Sequence, residues 1–105
     1  MEKLRILEDC KKLMWVVFEL VKRHPEYKFN INDQLIRSTL SIGSNLAEGN
    51  QRKGRDRNHF FDMALGSLEE SRFQIECYPD GELDIQVSDC YDKIRATIIR
   101  LKSSS

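Results

Sequence analysis

From Lys3 to Arg23, apolar residues recur at spacings of three and four: Leu7, Cys10, Met14, Val17 and Val21. That period places them in one stripe of an α-helix. Ile6, Leu13 and Leu20 form an adjacent row, widening the apolar arc to roughly 160° at about 100° per residue. Trp15 falls outside that arc, near Leu4 and Lys22. An arc this wide calls for more than one packing partner. The helix is expected to stop at His24-Pro25, because proline disfavours helical geometry in the residue before it.

The same period returns three more times. After a short loop holding Tyr27, Phe29 and Ile31, Asn32 or Asp33 is the expected cap of a second helix, which ends at Gly49. Leu35, Ile42 and Leu46 supply its apolar row, and Thr39, Gly43 and Ala47 run down its middle, where a neighbouring helix can approach closely. Asn50 to Arg57 reads as a polar loop, with Asp56 capping a third helix that reaches about Tyr78. That helix carries Phe60, Ala64, Leu68, Ser71 and Ile75 as its core row, flanked by Phe61 and Leu65. A weaker row of Met63, Gly66, Phe73 and Cys77 runs along its other side. Pro79-Asp80-Gly81 signals a turn. A fourth helix then spans roughly Asp84 or Ser88 to Lys102, with Leu83, Val87, Cys90, Ile94, Ile98 and Leu101 inward, ahead of a frayed Ser103–Ser105 tail. No segment sustains strand alternation. The expectation is one all-α domain over residues 1–105, an up-and-down four-helix bundle.

A chain of 105 residues has only a thin core, so subunit association would help to stabilise it. Trp15, Met63 and Phe73 are the candidate subunit contacts, since surface helices rarely turn large aromatic side chains outward. Seventeen Lys+Arg balance seventeen Asp+Glu, which predicts no global field towards nucleic acid or membrane. The longest apolar run, Leu13 to Phe18, is far short of the ~20 residues of a membrane span. Three cysteines, Cys10, Cys77 and Cys90, make an odd count without a CxxC pair, as expected of reduced thiols in a cytoplasmic protein.

The inventory argues against an enzyme. His24 and His59 are the two histidines, and neither has a nucleophile or carboxylate at a catalytic spacing beyond a surface pairing of His59 with Asp62. Glu69, Glu70 and Glu76 lack the Glu-x-x-His partner of carboxylate-bridged metal bundles. No metal or cofactor is expected. Arg52, Lys53, Arg55 and Arg57 put four cations into six residues, which repeated around a symmetric oligomer would make a basic ring able to meet phosphates. No aromatic residue interleaves with them to stack bases. Arg37, Ser41, Ser44, Asn45 and Glu48 share one face of the second helix, opposite its apolar row. Small hydroxyls and amides are unusual on a solvated helix face, so this face reads as a packed polar network, with Arg37 meeting a carboxylate such as Glu48 of another turn or another subunit.

The same residues carry a resemblance. Arg37 to Gly49, RSTLSIGSNLAEG, resembles the signature Arg-x-x-x-Ser-Ile-Pro-Ser-Asn-Ile-Ala-Glu-Gly of the four-helix bundle proteins of 23S ribosomal RNA intervening sequences. In that family a basic loop follows, then Ala-x-Gly-Ser-Leu-x-Glu, matched here by Ala64, Gly66, Ser67, Leu68 and Glu70. The resemblance implies an up-and-down bundle, often a ring-shaped homopentamer, in bacteria. Most members have no assigned function. One relative, the accessory protein of diversity-generating retroelements, is a basic pentamer that binds nucleic acid and a reverse transcriptase. Gly43 departs from the pattern, standing where proline is usual, and so does the zero net charge. Two functions follow as expectations. The first is a homo-oligomeric, non-enzymatic scaffold that binds RNA or DNA through Arg52, Lys53, Arg55 and Arg57 and assists a partner such as a reverse transcriptase. The second is a protein–protein adaptor that uses no nucleic acid.

Overall fold

The computed structural model describes residues 1–79 and 85–103. Those residues form four α-helices: α1 (Glu2–Arg23), α2 (Ile31–Asn50), α3 (Gly54–Glu76) and α4 (Ile85–Ser103). A 3₁₀ turn at Pro25–Tyr27 joins the first two. No strand occurs among the described residues. Asp80-Gly81, Leu83, Asp84 and the last two serines lie outside them.

Each helix packs against its chain neighbours, and α4 closes the circuit on α1, so α1 and α3 stand diagonally opposed. Cross-helix bonds give the directions. Asn50 on α2 donates to the Lys3 carbonyl on α1. Ser38 on α2 reaches Gln74 on α3, whereas Ser67 on α3 reaches Ser41 on α2. Arg72 meets Asp92, Arg95 meets Glu69, and Arg100 returns to Glu2. Every neighbouring pair is therefore antiparallel, and the molecule is an up-and-down bundle measuring 43 × 26 × 18 Å.

Its core follows the expected stripes with local shifts. Ile6, Leu13, Val17 and Leu20 of α1 are buried, while Leu7, Met14 and Val21 are half-buried at the margin. On α3 the core aromatic is Phe61, fully buried, and Phe60 is half-exposed, which corrects the expected row by one position. Ala47, expected at a close approach, faces solvent, and Gly43 meets Cys10 of α1 at ordinary contact distance. The proline-free α2 runs unbroken. Its N-cap is Asn30, whose side chain accepts from the Ile31 N–H at 2.9 Å. Asn32 is instead buried, donating to the His24 carbonyl at 2.8 Å and accepting from the Tyr78 hydroxyl. His24 stacks on Tyr27 at 5.3 Å between ring centres. These contacts tie the α1–α2 turn to the end of α3.

Candidate functional site

The candidate basic loop is three residues long. α2 continues to Asn50 and α3 begins at Gly54, leaving only Gln51, Arg52 and Lys53 between them. Gly54 enters the helix at φ +58, a left-handed conformation that glycine adopts without a Cβ penalty. The expected N-cap, Asp56, lies instead in the first turn of α3, together with Arg55 and Arg57; the N-cap is Lys53, with no side-chain cap bond.

The four cations have different surroundings. Arg52 bonds Glu48 at 2.7 Å, approaches Asp56 at 3.6 Å and lies 5.3 Å from the Phe60 ring centre. The Glu48 hydrogen bond holds its guanidinium above its ordinary pKa. Arg57 lies over Phe61 at 5.4 Å and donates to the Leu101 carbonyl in the last turn of α4. A cation in the last turn of a helix is favoured by the helix dipole. Two rings therefore lie beside the cations, Phe60 half-buried and Phe61 fully buried and out of reach of a base. Lys53 and Arg55 are exposed and make no ion pair among the described residues. The first turn of α1 and the last of α4 reach the same end of the bundle and bring Lys3, Arg5, Arg100 and Lys102, of which Arg100 pairs with Glu2 and Lys102 with Asp62. Towards the opposite end, α3 and α4 carry Glu69, Glu70, Glu76, Asp89 and Asp92. A net charge of +0 thus goes with a local sorting of charge along the long axis.

The second candidate face lies on the seam between α2 and α3. Ser41 accepts from Ser67 at 2.9 Å and from Asn45 at 3.0 Å, while Asn45 also donates to the Ser41 carbonyl. Ser38 donates to Gln74 at 2.7 Å. Deeper, Thr39, Ser71 and Tyr91 join through two 2.7 Å hydroxyl contacts that link α2, α3 and α4. Arg37 and Ser44 are exposed on this face. Glu48 pairs with Arg52 and stands about three helical turns from Arg37, too far along α2 to meet it within one chain; Arg37 makes no ion pair among the described residues. Gly49 lies under Phe61, where a Cβ would stand 2.6 Å from the ring.

The model of the 23S rRNA-intervening sequence protein family matches residues 2–103. The chain belongs to this family. A crystal structure of a protein of unknown function from the S23 ribosomal protein family of Bacteroides thetaiotaomicron is similar in fold. Its TM-score is 0.81 at 20% identity, with 98% of this chain and 99% of that chain covered. No curated protein matches the sequence.

The family signature residues thus have a physical place: Ser67 joins α3 to Ser41 of α2, Asn45 holds Ser41 from the next turn of its own helix, and Gly49 makes room for Phe61. Ser67 was visible in the second motif. Ser38, Gln74, Thr39 and Tyr91 were not, because nothing in helical periodicity says which polar residue a neighbouring helix will meet. Away from the seam, Trp15 is 67% exposed on α1, edge-on to Phe18 at 5.9 Å. Phe73 is 68% exposed on α3, with Met63 exposed on the same side. The three cysteines are free, Cys10 buried, Cys90 half-buried and Cys77 exposed. Burial, then Cys90 and Asp9, pushes the Cys10 thiol up to about 12. His59 sits edge-on to Phe60, and Asp62 is taken by Lys102. Among the described residues no group of His, Cys, Asp or Glu is placed to hold a metal ion, and no helix is long and apolar enough to cross a membrane.

Proposed function

We propose that this family member is a non-enzymatic, self-associating bundle, a homopentamer by resemblance, that holds the phosphate backbone of RNA or DNA at its α2–α3 corner and acts in the cytoplasm as an accessory scaffold. The observation that carries this reading is the pair Lys53 and Arg55, exposed without an ion pair where α3 begins with no side-chain cap. Uncapped N–H groups at a helix start, flanked by cations, suit a phosphate oxygen. Arg52 and Arg57 support the corner: one is held over Phe60, and the other anchors α3 to α4.

The test is a salt titration of binding to a labelled RNA hairpin and to a DNA duplex. Lys53→Gln with Arg55→Gln should weaken both affinities and lower the slope of log K against log salt by about two for each engaged corner, about one per lost phosphate contact. Unchanged affinity and slope would remove nucleic acid from the corner. The adaptor reading would then stand in its place, favoured by the exposure of Trp15 and Phe73, with a protein such as a reverse transcriptase as partner.

A further inference from the structure

We infer that a free α-amino acid with an aromatic side chain binds in a groove between the start of α2 and the end of α3. The site lies at the other end of these two helices from the phosphate corner and does not depend on it. The groove has a volume of about 420 Å³ and is lined by Phe29, Asp33, Gln34, Arg37, Phe73 and Cys77 among others, a size that falls within the roughly 300–1,000 Å³ of small-ligand sites. Its walls are preformed. Tyr78 donates to Asn32, and Ser38 donates to Gln74 at 2.7 Å. These bonds tie α2 to the end of α3 on either side of residues 33–37, so a ligand meets two surfaces whose separation is already fixed.

Two phenylalanines stand open in it. Phe29 is 88% exposed ahead of α2, Phe73 is exposed on α3, and neither joins the core. Exposed rings on a concave surface suit an aromatic side chain, which packs on them stacked or edge-on. The charges in and around the groove balance. Asp33 and Arg37 line it, while Lys28, over the Phe29 ring at 5.4 Å, and Glu70, beside Gln74 at 3.4 Å, stand at its rim. A phosphate would meet two carboxylates there together with two cations. A ligand that carries one charge of each sign is opposed by neither.

Asp33 and Arg37 stand one helical turn apart, the spacing at which opposite charges pair along a helix. Neither makes an ion pair among the described residues. An α-amino acid has its ammonium and carboxylate on one carbon. The carboxylate suits the Arg37 guanidinium, the ammonium suits the Asp33 carboxylate, and the side chain then lies against Phe29 and Phe73. A segment of a protein chain lacks this adjacent pair of charges, because its amino and carboxyl groups are taken up in peptide bonds. The occupant is therefore the free amino acid.

The test is a titration of the isotope-labelled full chain with L-phenylalanine, followed by backbone amide chemical shifts. The shifts should saturate and centre on Phe29, Arg37 and Phe73. N-acetylphenylalanine and phenylalaninamide, each lacking one charge, should bind about tenfold more weakly, the loss expected for one hydrogen bond between charged groups. Arg37→Gln should erase the difference between phenylalanine and its amide, and Asp33→Asn the difference between phenylalanine and its N-acetyl form, with circular dichroism confirming the fold. The blocked ligands test the unaltered protein if a variant fails to fold. No saturable shift, or equal affinity for phenylalanine and both blocked forms, would overturn the site. Tighter binding of guanosine monophosphate than of phenylalanine would overturn it in favour of a nucleotide. Lys53→Gln with Arg55→Gln should leave this titration unchanged, so failure of the phosphate corner and failure of the groove read separately.

Discussion

At Gly49 a methyl group has nowhere to go. A Cβ there would stand 2.6 and 2.7 Å from two atoms of the Phe61 ring and 3.3 Å from the Phe60 Cβ. Phe61 is fully buried and cannot swing aside. Gly49→Ala should therefore destabilise the fold by ~1–3 kcal/mol through overpacking, read from the midpoint of urea unfolding. In the sequence this glycine marks the end of the second helix. The structure keeps it inside α2 without a positive φ, so the demand is for space and not for a special backbone conformation. Phe61 belongs to the same lesson. Phe60 and Phe61 are equally apolar, and only the docking of α2 decides which of two adjacent rings becomes core.

Between α2 and α3 the reverse holds for Gly54, which has nothing within 4 Å of where a Cβ would stand but is held at φ +58. Gly54→Ala should cost ~1–2 kcal/mol from left-handed backbone strain, without any clash. A smaller loss by chemical denaturation, together with wild-type helicity, would show that α3 can start by another route. Sequence pattern places this boundary too far along, because Arg55, Asp56, Arg57 and Asn58 have no apolar period to reveal a helix. They are helical because α3 lies along α2 and Arg57 reaches the Leu101 carbonyl on α4, partners distant in sequence. The long helical interiors were legible, since each buries a stripe that recurs every three or four residues.

In the whole molecule, burial sets the response to alkali. Cys10, Tyr78 and Tyr91 are all pushed up to about 12, from ordinary values of 9.0 for the thiol and 10.0 for the phenols, chiefly by desolvation. Above its ordinary pKa each group would lose its proton more readily in the unfolded chain than in the folded one. Their contribution is thus complete below about pH 9 and is lost as the pH rises towards 12. Thermal midpoints should fall steadily across that interval, and Tyr91→Phe should flatten the fall. A midpoint independent of pH there would mean that these groups are not shielded from water. Charge is also organised at this scale. The antiparallel path of four helices sorts a neutral composition into a basic end and an acidic flank, which no residue count contains.

Hydrophobic period, a proline stop and two motifs were enough to determine four helices, their approximate spans and the family to which the chain belongs, because each depends on residues near one another in the chain. The tertiary structure alone decided which polar side chains meet across α2 and α3, and which loop cations are tied to Glu48 and Leu101. Those facts depend on the register between helices, set by contacts such as Ser38–Gln74 and Lys3–Asn50, whose partners stand 36 and 47 residues apart.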